Sequence, residues 1–235
     1  MEIDKWLTNI QDWFLPRLCP ACGGGTGPGR DLCGGCERVL PGIANACPRC
    51  AAPFEYGSIQ GECGQCQRRP PPYVRGVALY HYAPPIDHFI RTLKFHDGIG
   101  LARLLGRRLA SRLQLEPGRP DRIMPVPLHP TRLRSRGYNQ ALELARPIAA
   151  ALDIPLDYRS LRRVRATAAQ SNLTLDERQR NVRGAFAVDG DARLAGLRIA
   201  LVDDVLTTGS TVAAASLALL AAGVREIEVW VAARA

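Results

Sequence analysis

All eight cysteines of this chain lie between residues 19 and 66, and they form four Cys-x-x-Cys pairs. The pairs are Cys19/Cys22, Cys33/Cys36, Cys47/Cys50 and Cys63/Cys66. A Cys-x-x-Cys turn brings two thiolates to one tetrahedral ion, and two such turns complete a closed four-sulfur site. Because few apolar side chains lie between the cysteines, a metal must supply the folding energy of this segment. Four pairs therefore predict two structural Zn²⁺ ions in a small N-terminal zinc-ribbon domain.

Physical grounds favour zinc binding over other roles for these cysteines. Disulfides are disfavoured where thiols stay reduced, a thioredoxin-like redox pair does not come four at a time, and iron–sulfur clusters use different spacings. Sharing of each ion by consecutive pairs is the simplest arrangement, and crossed sharing stays open. The ions are expected to be structural, because a closed four-sulfur site has no position for a substrate.

The location of the protein and its domain boundary follow from composition. No apolar run reaches the roughly 18–20 residues of a membrane span, and the acidic N-terminus lacks a secretory signal, so we expect a cytoplasmic protein. Residues 1–18 have helical apolar spacing and predict an amphipathic helix. The stiff junction at residues 68–72, Arg-Arg-Pro-Pro-Pro, divides the chain into an N-terminal domain of residues 1–70 and a second domain of residues 73–235.

The second domain alternates predicted strands and helices, which is typical of an α/β fold. Its most informative stretch begins with an apolar strand at residues 199–202, followed by Asp203 and Asp204. Next comes a loop of hydroxyls and glycine, and then a helix over residues 212–222. Ligands of open α/β sheets bind at the carboxyl ends of the strands, and such a loop offers N–H groups to a phosphate. The carboxylates of Asp203 and Asp204 would repel a phosphate, but they can accept hydrogen bonds from the hydroxyls of a sugar. The stretch therefore predicts a sugar-phosphate site. The alternative is an ordinary turn with solvated carboxylates.

A second strand–loop–helix unit runs from residue 122 to residue 152, with its helix predicted over residues 140–152. Its loop carries Arg132, Arg134 and Arg136 ahead of Gly137. These arginines suit a pyrophosphate, and the alternative is a solvated basic turn. The net charge of +9 agrees with a polyanionic ligand, either a pyrophosphate or a nucleic acid. Residues 159–183 are polar, basic and weakly periodic, which predicts a mobile loop able to close over the site.

Several of these stretches resemble those of a known family. The stretch from Asp203 to Thr211 looks like the signature of type I phosphoribosyltransferases, which bind phosphoribosyl pyrophosphate (PRPP). The chain as a whole is similar to the ComF family, also called ComFC, with GntX as a near relative. This wider resemblance rests on the four cysteine pairs and on residues 94–95, 126–129, 134–140, 165–167, 170, 178, 181–182, 186 and 203–211.

The resemblance implies a double zinc ribbon followed by a type I phosphoribosyltransferase fold, a mostly parallel sheet flanked by helices. It implies that Asp203 and Asp204 contact the ribose and act in catalysis, and that Mg²⁺ accompanies PRPP. The resemblance implies that the 5′-phosphate is bound by Thr207, Thr208, Gly209, Ser210 and Thr211. It implies that the pyrophosphate is bound by Arg132, Arg134 and Arg136. A lid over the site is implied for Arg165, Thr167, Gln170 and Arg178.

Some members of the ComF family are needed in natural transformation. Two functions are compatible with the resemblance to this family. One is an enzyme that transfers phosphoribose from PRPP to an acceptor that the sequence does not name. The other is a non-catalytic PRPP-binding adaptor that contacts single-stranded DNA or proteins of uptake and recombination. Aromatic residues make up only 6% of the chain, which is few for a platform that stacks bases.

Overall fold

The computed structural model describes residues 18–27, 29–54, 61–93, 98–116, 118–166, 182, 184–190 and 192–235. The predicted N-terminal helix lies outside the described residues except for Leu18, and so do Thr167, Gln170 and Arg178 of the predicted lid. The chain divides into two compact units, residues 1–41 and 42–235. The second pair of Cys-x-x-Cys turns therefore belongs to the larger unit, and the domain division at residues 70–73 stays a prediction from sequence.

The strands and helices are numbered here in chain order. Short helices α1 (Gly34–Arg38) and α2 (Gly64–Arg68) lie at cysteine turns, and they are followed by β1 (Arg75–His81), α3 (Ile86–Thr92), α4 (Ile99–Leu113), β2 (Arg122–Pro125), α5 (Pro130–Arg136), α6 (Gln140–Leu152), β3 (Leu161–Arg163), β4 (Phe186–Val188), β5 (Arg198–Leu206), α7 (Ser210–Ala221) and β6 (Glu226–Arg234). Among the described residues, no helix is both long enough and apolar enough to cross a membrane.

Four strands form a parallel sheet in the order β1-β6-β5-β2. The middle of β5, residues 199–202, is fully buried, as expected for a strand covered on both faces. On one side, Leu201 and Val229 share a core cluster with Val212 and Leu219 of α7. The predicted parallel α/β sheet is confirmed, and its carboxyl edge collects the loops that follow β5 and β2.

Helices α4 and α6 pack closely against one another and against the sheet. A Cβ atom built at Gly106 of α4 would lie 2.4 Å from the carbonyl oxygen of Leu144 in α6. Glycine is therefore required at this crossing, because real Cβ contacts are never that short. The bounds of α6 equal those predicted from the sequence, and Asn139 begins the helix by accepting from the N–H of Ala141 at 3.0 Å.

Three local expectations were wrong. The acids do not follow the strand, since β5 continues to Leu206 and Asp203 pairs with Val231 of β6. The arginines after β2 lie on a helix, α5, rather than on an extended loop, because Pro130 begins that helix and Gly137 ends it in a left-handed conformation (φ 84°). The basic stretch after residue 159 begins with a strand, β3, which pairs antiparallel with β4.

The cysteine segment of the larger unit lies along strand β1. The N–H of Ile43 donates to the carbonyl oxygen of Leu79 at 3.2 Å, and the N–H of Gly76 donates to that of Pro48 at 3.0 Å. A Cβ atom at Gly76 would lie 2.8 Å from the carbonyl oxygen of Arg49. The turn that carries Cys47 and Cys50 therefore packs directly on the sheet.

Candidate functional site

The eight thiols form two separate groups of four. One group is Cys19, Cys22, Cys33 and Cys36, the other is Cys47, Cys50, Cys63 and Cys66, and within each group the sulfur atoms lie within 4.8 Å of one another. The Sγ atoms of Cys22 and Cys33 are 3.7 Å apart and those of Cys50 and Cys63 are 3.6 Å apart. Two thiolates about 2.3 Å from one tetrahedral Zn²⁺ ion would lie about 3.8 Å apart. The donor set and its spacing therefore fit zinc, with each ion shared by consecutive pairs.

Backbone N–H groups support the thiolate form in both clusters. The N–H of Cys36 donates to Cys33 Sγ at 3.4 Å, and the N–H of Cys63 donates to Cys47 Sγ at 3.2 Å. Burial raises the pKa of the Cys19 thiol, but hydrogen bonds from the backbone outweigh it and bring that pKa to about 6. Since the thiolate is the form that binds metal, the turns are preorganised for an ion.

The two acids lie side by side near the end of β5. Asp204 is 5% exposed, and its Oδ2 atom is buried with no hydrogen-bond partner among the described residues. Burial first, and the neighbouring Asp204 second, raise the pKa of Asp203 well above its usual range, while Arg163 lowers it. A buried carboxylate oxygen without a donor is costly, and a hydroxyl donor or a hydrated cation would satisfy it.

The loop after β5 turns sharply into helix α7. Gly209 precedes the helix with a left-handed backbone (φ 77°, ψ 0°), which glycine adopts without strain. The hydroxyls of Thr208 and Ser210 lie 2.9 Å apart, and the N–H of Ser210 donates to Thr208 Oγ1 at 3.4 Å. Thr207 and Thr208 are exposed. Together with the positive end of α7, these groups can bind a phosphate.

Helix α5 brings one of its three predicted arginines, Arg136, into electrostatic range of the acids. Burial lowers the pKa of Arg136, whereas Asp204 and Asp203 raise it, so Arg136 lies within electrostatic range of both carboxylates. Its Nη1 atom donates to Gln140 Oε1 at 2.6 Å. Arg132, one turn earlier on the same face, influences Arg136 as well. Arg134 is exposed and, at about 100° per residue, points away from that face.

Arg163 of β3 joins the same group, although the sequence did not single it out. It is 9% exposed, and its Cζ atom lies 5.3 Å from the centre of the Phe186 ring. Burial lowers the pKa of Arg163, Arg132 lowers it further, and Asp203 raises it. Leu161, Arg162 and Arg163 alternate in burial but not in residue type, so no signal in the sequence separates Arg163 from the arginines around it. Arg165, from the predicted lid, is exposed just after this strand.

A cavity of about 690 Å³ borders this arginine group. Its apolar walls include Pro127, Leu142 and Leu161, and its polar walls include Glu143 and Arg163. The cavity therefore lies between the α5–α6 corner and strand β3. A second molecule bound there would lie beside Arg163, which is within electrostatic range of Asp203.

Two family models match the chain. Residues 10–67 match the double zinc ribbon domain, and residues 138–235 match the phosphoribosyl transferase domain. The first match contains all eight cysteines, and the second contains the acids, the loop after β5 and helix α7.

Named relatives cover most of the chain. The DNA utilization protein YhgH of Salmonella typhimurium is 38% identical over 208 residues, which are 85% of this chain and 88% of the relative. Competence protein F of Haemophilus influenzae is 35% identical over 214 residues, which are 87% of this chain and 90% of the relative. Among solved structures, the glutamine PRPP amidotransferase from B. subtilis resembles 60% of this chain at 22% identity, with a TM-score of 0.41, and the match covers 30% of that enzyme.

Proposed function

Because this chain belongs to the family of competence protein F and DNA utilization protein YhgH, we propose that its phosphoribosyltransferase domain binds PRPP together with Mg²⁺. One observation carries this proposal: the buried Oδ2 atom of Asp204 lacks a donor among the described residues, and the loop that follows it has the features of a phosphate site. A sugar phosphate supplies both a hydroxyl donor for the acid and an anion for the loop.

Each part of PRPP has a matching group on the chain. The 5′-phosphate binds to residues 207–211 at the start of α7, and the ribose hydroxyls donate to Asp203 and Asp204. The pyrophosphate lies toward Arg132 and Arg136 of α5 and toward Arg163 of β3, whose planar guanidinium groups suit phosphate oxygens. Arg134 contributes long-range charge only, since it is on the far side of α5.

Mg²⁺ fits this donor set, because it prefers oxygen ligands and usually bridges phosphates with few protein contacts. The acids Asp203 and Asp204 would hold its hydration shell or the hydroxyls that bind it. When bound, the ion neutralises charge on the pyrophosphate. Arg132, Arg136 and Arg163 would neutralise part of the same pyrophosphate charge.

The reaction proposed is transfer of the phosphoribosyl group. The bond between the anomeric carbon and the pyrophosphate oxygen breaks, the arginines stabilise the departing anion, and an acceptor nucleophile forms the new bond and loses a proton. Asp203 and Asp204 stabilise the positive charge that develops on the ribose ring. The cavity beside Arg163 offers room for the acceptor.

A second candidate function is a PRPP-binding adaptor without catalysis. It is favoured by the names of the relatives, competence protein F and DNA utilization protein, which point to the handling of DNA rather than to a metabolite. In this form the basic chain would contact single-stranded DNA or proteins of uptake and recombination. We propose a cytoplasmic location in both cases, since a reducing compartment keeps cysteines in the thiol and thiolate forms that bind zinc.

Pyrophosphate release separates the two functions. Purified protein is incubated with PRPP and Mg²⁺ and with pools of nucleobases, amines or single-stranded DNA, and pyrophosphate is measured with a coupled enzyme. Release with one acceptor pool, lost in Asp203→Asn, supports the transferase. PRPP binding without release in any pool supports the adaptor. If calorimetry detects no PRPP binding to the zinc-loaded protein, both forms of the proposal are wrong.

A further inference from the structure

The second cysteine cluster and the loop after β5 are joined by one side chain, that of Arg234. Its Nε atom donates to the carbonyl oxygen of Cys50 at 3.2 Å, and its Nη1 atom donates to that of Leu206 at 3.0 Å. Cys50 is a member of the second cluster, and Leu206 is the last residue of β5. The two carbonyl groups are far apart in sequence, and one guanidinium fork holds both.

The bond to Leu206 determines how the loop begins. The carbonyl of Leu206 and the N–H of Thr207 belong to one planar peptide unit and point in opposite directions. A donor that fixes this carbonyl therefore fixes the direction of the first N–H of the loop. The N–H of Ala235 donates to the same carbonyl oxygen at 3.0 Å, so Leu206 O accepts two hydrogen bonds.

A second connection runs through Tyr73. Arg49, between Cys47 and Cys50, donates from Nη1 to the carbonyl oxygen of Tyr73 at 3.1 Å and from Nε to Glu62 Oε1 at 2.6 Å. The Tyr73 side chain is 4% exposed, and its hydroxyl would lie 3.5 Å from a Cβ atom built at Gly209. Tyr73 thus lies beneath the turn of the loop, and its backbone is held by the cysteine turn.

Apolar packing follows the same route. Ala51, directly after the Cys47–Cys50 turn, and Tyr73 belong to one core cluster with Leu206 and Val212, the residues on either side of the loop. Ala51 has a left-handed backbone (φ 55°) and is 1% exposed. An alanine in that conformation is strained, and closure of the turn on an ion would hold it there.

From these contacts we infer that the second cysteine cluster, through Arg234 and Tyr73, positions the phosphate-binding loop for its ligand. The ion at Cys47, Cys50, Cys63 and Cys66 then acts at a distance from the ligand, and Arg234 is a positioning residue rather than a catalytic one. The ligand part of this inference rests on the proposed function, whereas the ordering of the loop does not. Linkage requires reciprocity: if the ion strengthens binding of PRPP, PRPP must strengthen retention of that ion to the same degree.

Four variants test the inference. Arg234→Met keeps the length of the side chain and removes both donors, and Arg234→Lys keeps the charge but can satisfy only one of the two carbonyls. Cys66→Ser weakens the second cluster without changing a residue that contacts Arg234. Cys36→Ser does the same to the first cluster, which belongs to the other compact unit, and is the matched control.

The first readout needs no ligand. Amide hydrogen exchange is followed in peptides covering residues 205–211 of the zinc-loaded proteins. We expect exchange to be about tenfold faster in Arg234→Met and Cys66→Ser, intermediate in Arg234→Lys, and unchanged in Cys36→Ser, since a hydrogen bond from a charged donor is worth about tenfold or more. Unchanged exchange in Arg234→Met with full zinc content would overturn the inference, even if Cys66→Ser fails to fold.

The second readout measures coupling. The zinc affinity of the second cluster is measured by competition with a chelator at equilibrium, with and without PRPP. We expect PRPP to raise this affinity in the wild type and in Cys36→Ser, and to have no such effect in Arg234→Met. An equal rise in affinity in Arg234→Met would contradict the coupling. A wild type that fails to bind PRPP would instead contradict the proposed function, and the exchange data would still decide whether the cluster positions the loop.

Discussion

The backbone N–H of Asp204 donates a hydrogen bond of 2.9 Å to Oδ1 of Asp203. The N–H of Val205 does the same for Oδ1 of Asp204, also at 2.9 Å. Each acid is therefore anchored through one oxygen by the residue that follows it. Asp204 Oδ2 remains as a buried acceptor with no partner among the described residues, and we propose that this oxygen accepts from a ribose hydroxyl.

Asp203 is predicted to lower the free energy of unfolding of the ligand-free protein near neutral pH. Burial and Asp204 raise the pKa of Asp203, so the unfolded chain releases this proton at lower pH than the folded one. The free energy of unfolding therefore falls as pH rises from the ordinary Asp pKa, about 4. Asp203→Asn removes this loss, and its Oδ1 atom can still accept from Asp204.

We expect Asp203→Asn to raise the thermal midpoint near neutral pH, by about 2–4 °C for each kcal/mol recovered, and to weaken PRPP binding. The gain should shrink as pH is lowered toward the ordinary Asp pKa of about 4 and vanish below it, where the wild-type acid is protonated in both states. Scanning calorimetry across this pH range measures it. A variant less stable than the wild type at neutral pH would show that the acid is not under strain.

Gly209→Ala tests the turn of the loop. Its left-handed φ of 77° costs alanine about 1–2 kcal/mol, while the new Cβ would meet only ordinary contacts, 3.5 Å from Tyr73 Oη and 3.7 Å from Leu206 Cδ1. We expect reduced stability together with weaker PRPP binding.

Gly196→Ala is the matched control for Gly209→Ala. Gly196 has the same φ of 77°, and a Cβ there would meet nothing within 4 Å. It should lose similar stability by denaturant unfolding and keep full PRPP affinity. Equal loss of affinity in both variants would remove Gly209 from the site.

The arginines of α5 are predicted to differ from one another. Arg136→Met should weaken PRPP binding by roughly 10–100-fold, the value of a hydrogen bond to a charged group, because Arg136 lies within electrostatic range of both acids. Arg134→Met should change it by less than about threefold, since exposed charges are largely screened. Calorimetry with PRPP measures both affinities. A larger effect at Arg134 than at Arg136 would show that the opposite face of α5 is directed toward PRPP.

Metal content tests the grouping of the cysteines. We expect two zinc ions per chain, and we expect Cys19→Ser/Cys36→Ser to lose one of them. Cys19→Ser/Cys47→Ser should lose both, because it damages each cluster. Elemental analysis after dialysis measures these losses. Crossed sharing, in which Cys19 and Cys36 serve different ions, would make Cys19→Ser/Cys36→Ser lose both.

Local sequence features predicted much of this architecture. The four Cys-x-x-Cys pairs, the apolar run at residues 199–202 and the helix at residues 140–152 are each determined by residues close together in sequence, so their structures could be derived in isolation. Helix α5 was missed because arginine is common in both loops and helices, and the decisive residues, Pro130 and Gly137, lie at its two ends.

Contacts between distant segments were beyond the reach of the sequence. Arg163 lies on β3, which pairs with the distant strand β4, and it is within electrostatic range of Asp203. The bridge from Cys50 to Leu206 through Arg234 spans most of the chain. No spacing rule relates such residues, since the sheet order β1-β6-β5-β2 determines which of them meet.

We propose that residues 203–211 bind PRPP, and calorimetry with PRPP and Mg²⁺ tests this binding most directly. Wild type is compared with Asp203→Asn/Asp204→Asn, whose fold and zinc content are verified beforehand. We predict binding to one site per chain in the wild type and no detectable heat in the double variant. Equal affinity in the two proteins would contradict the account.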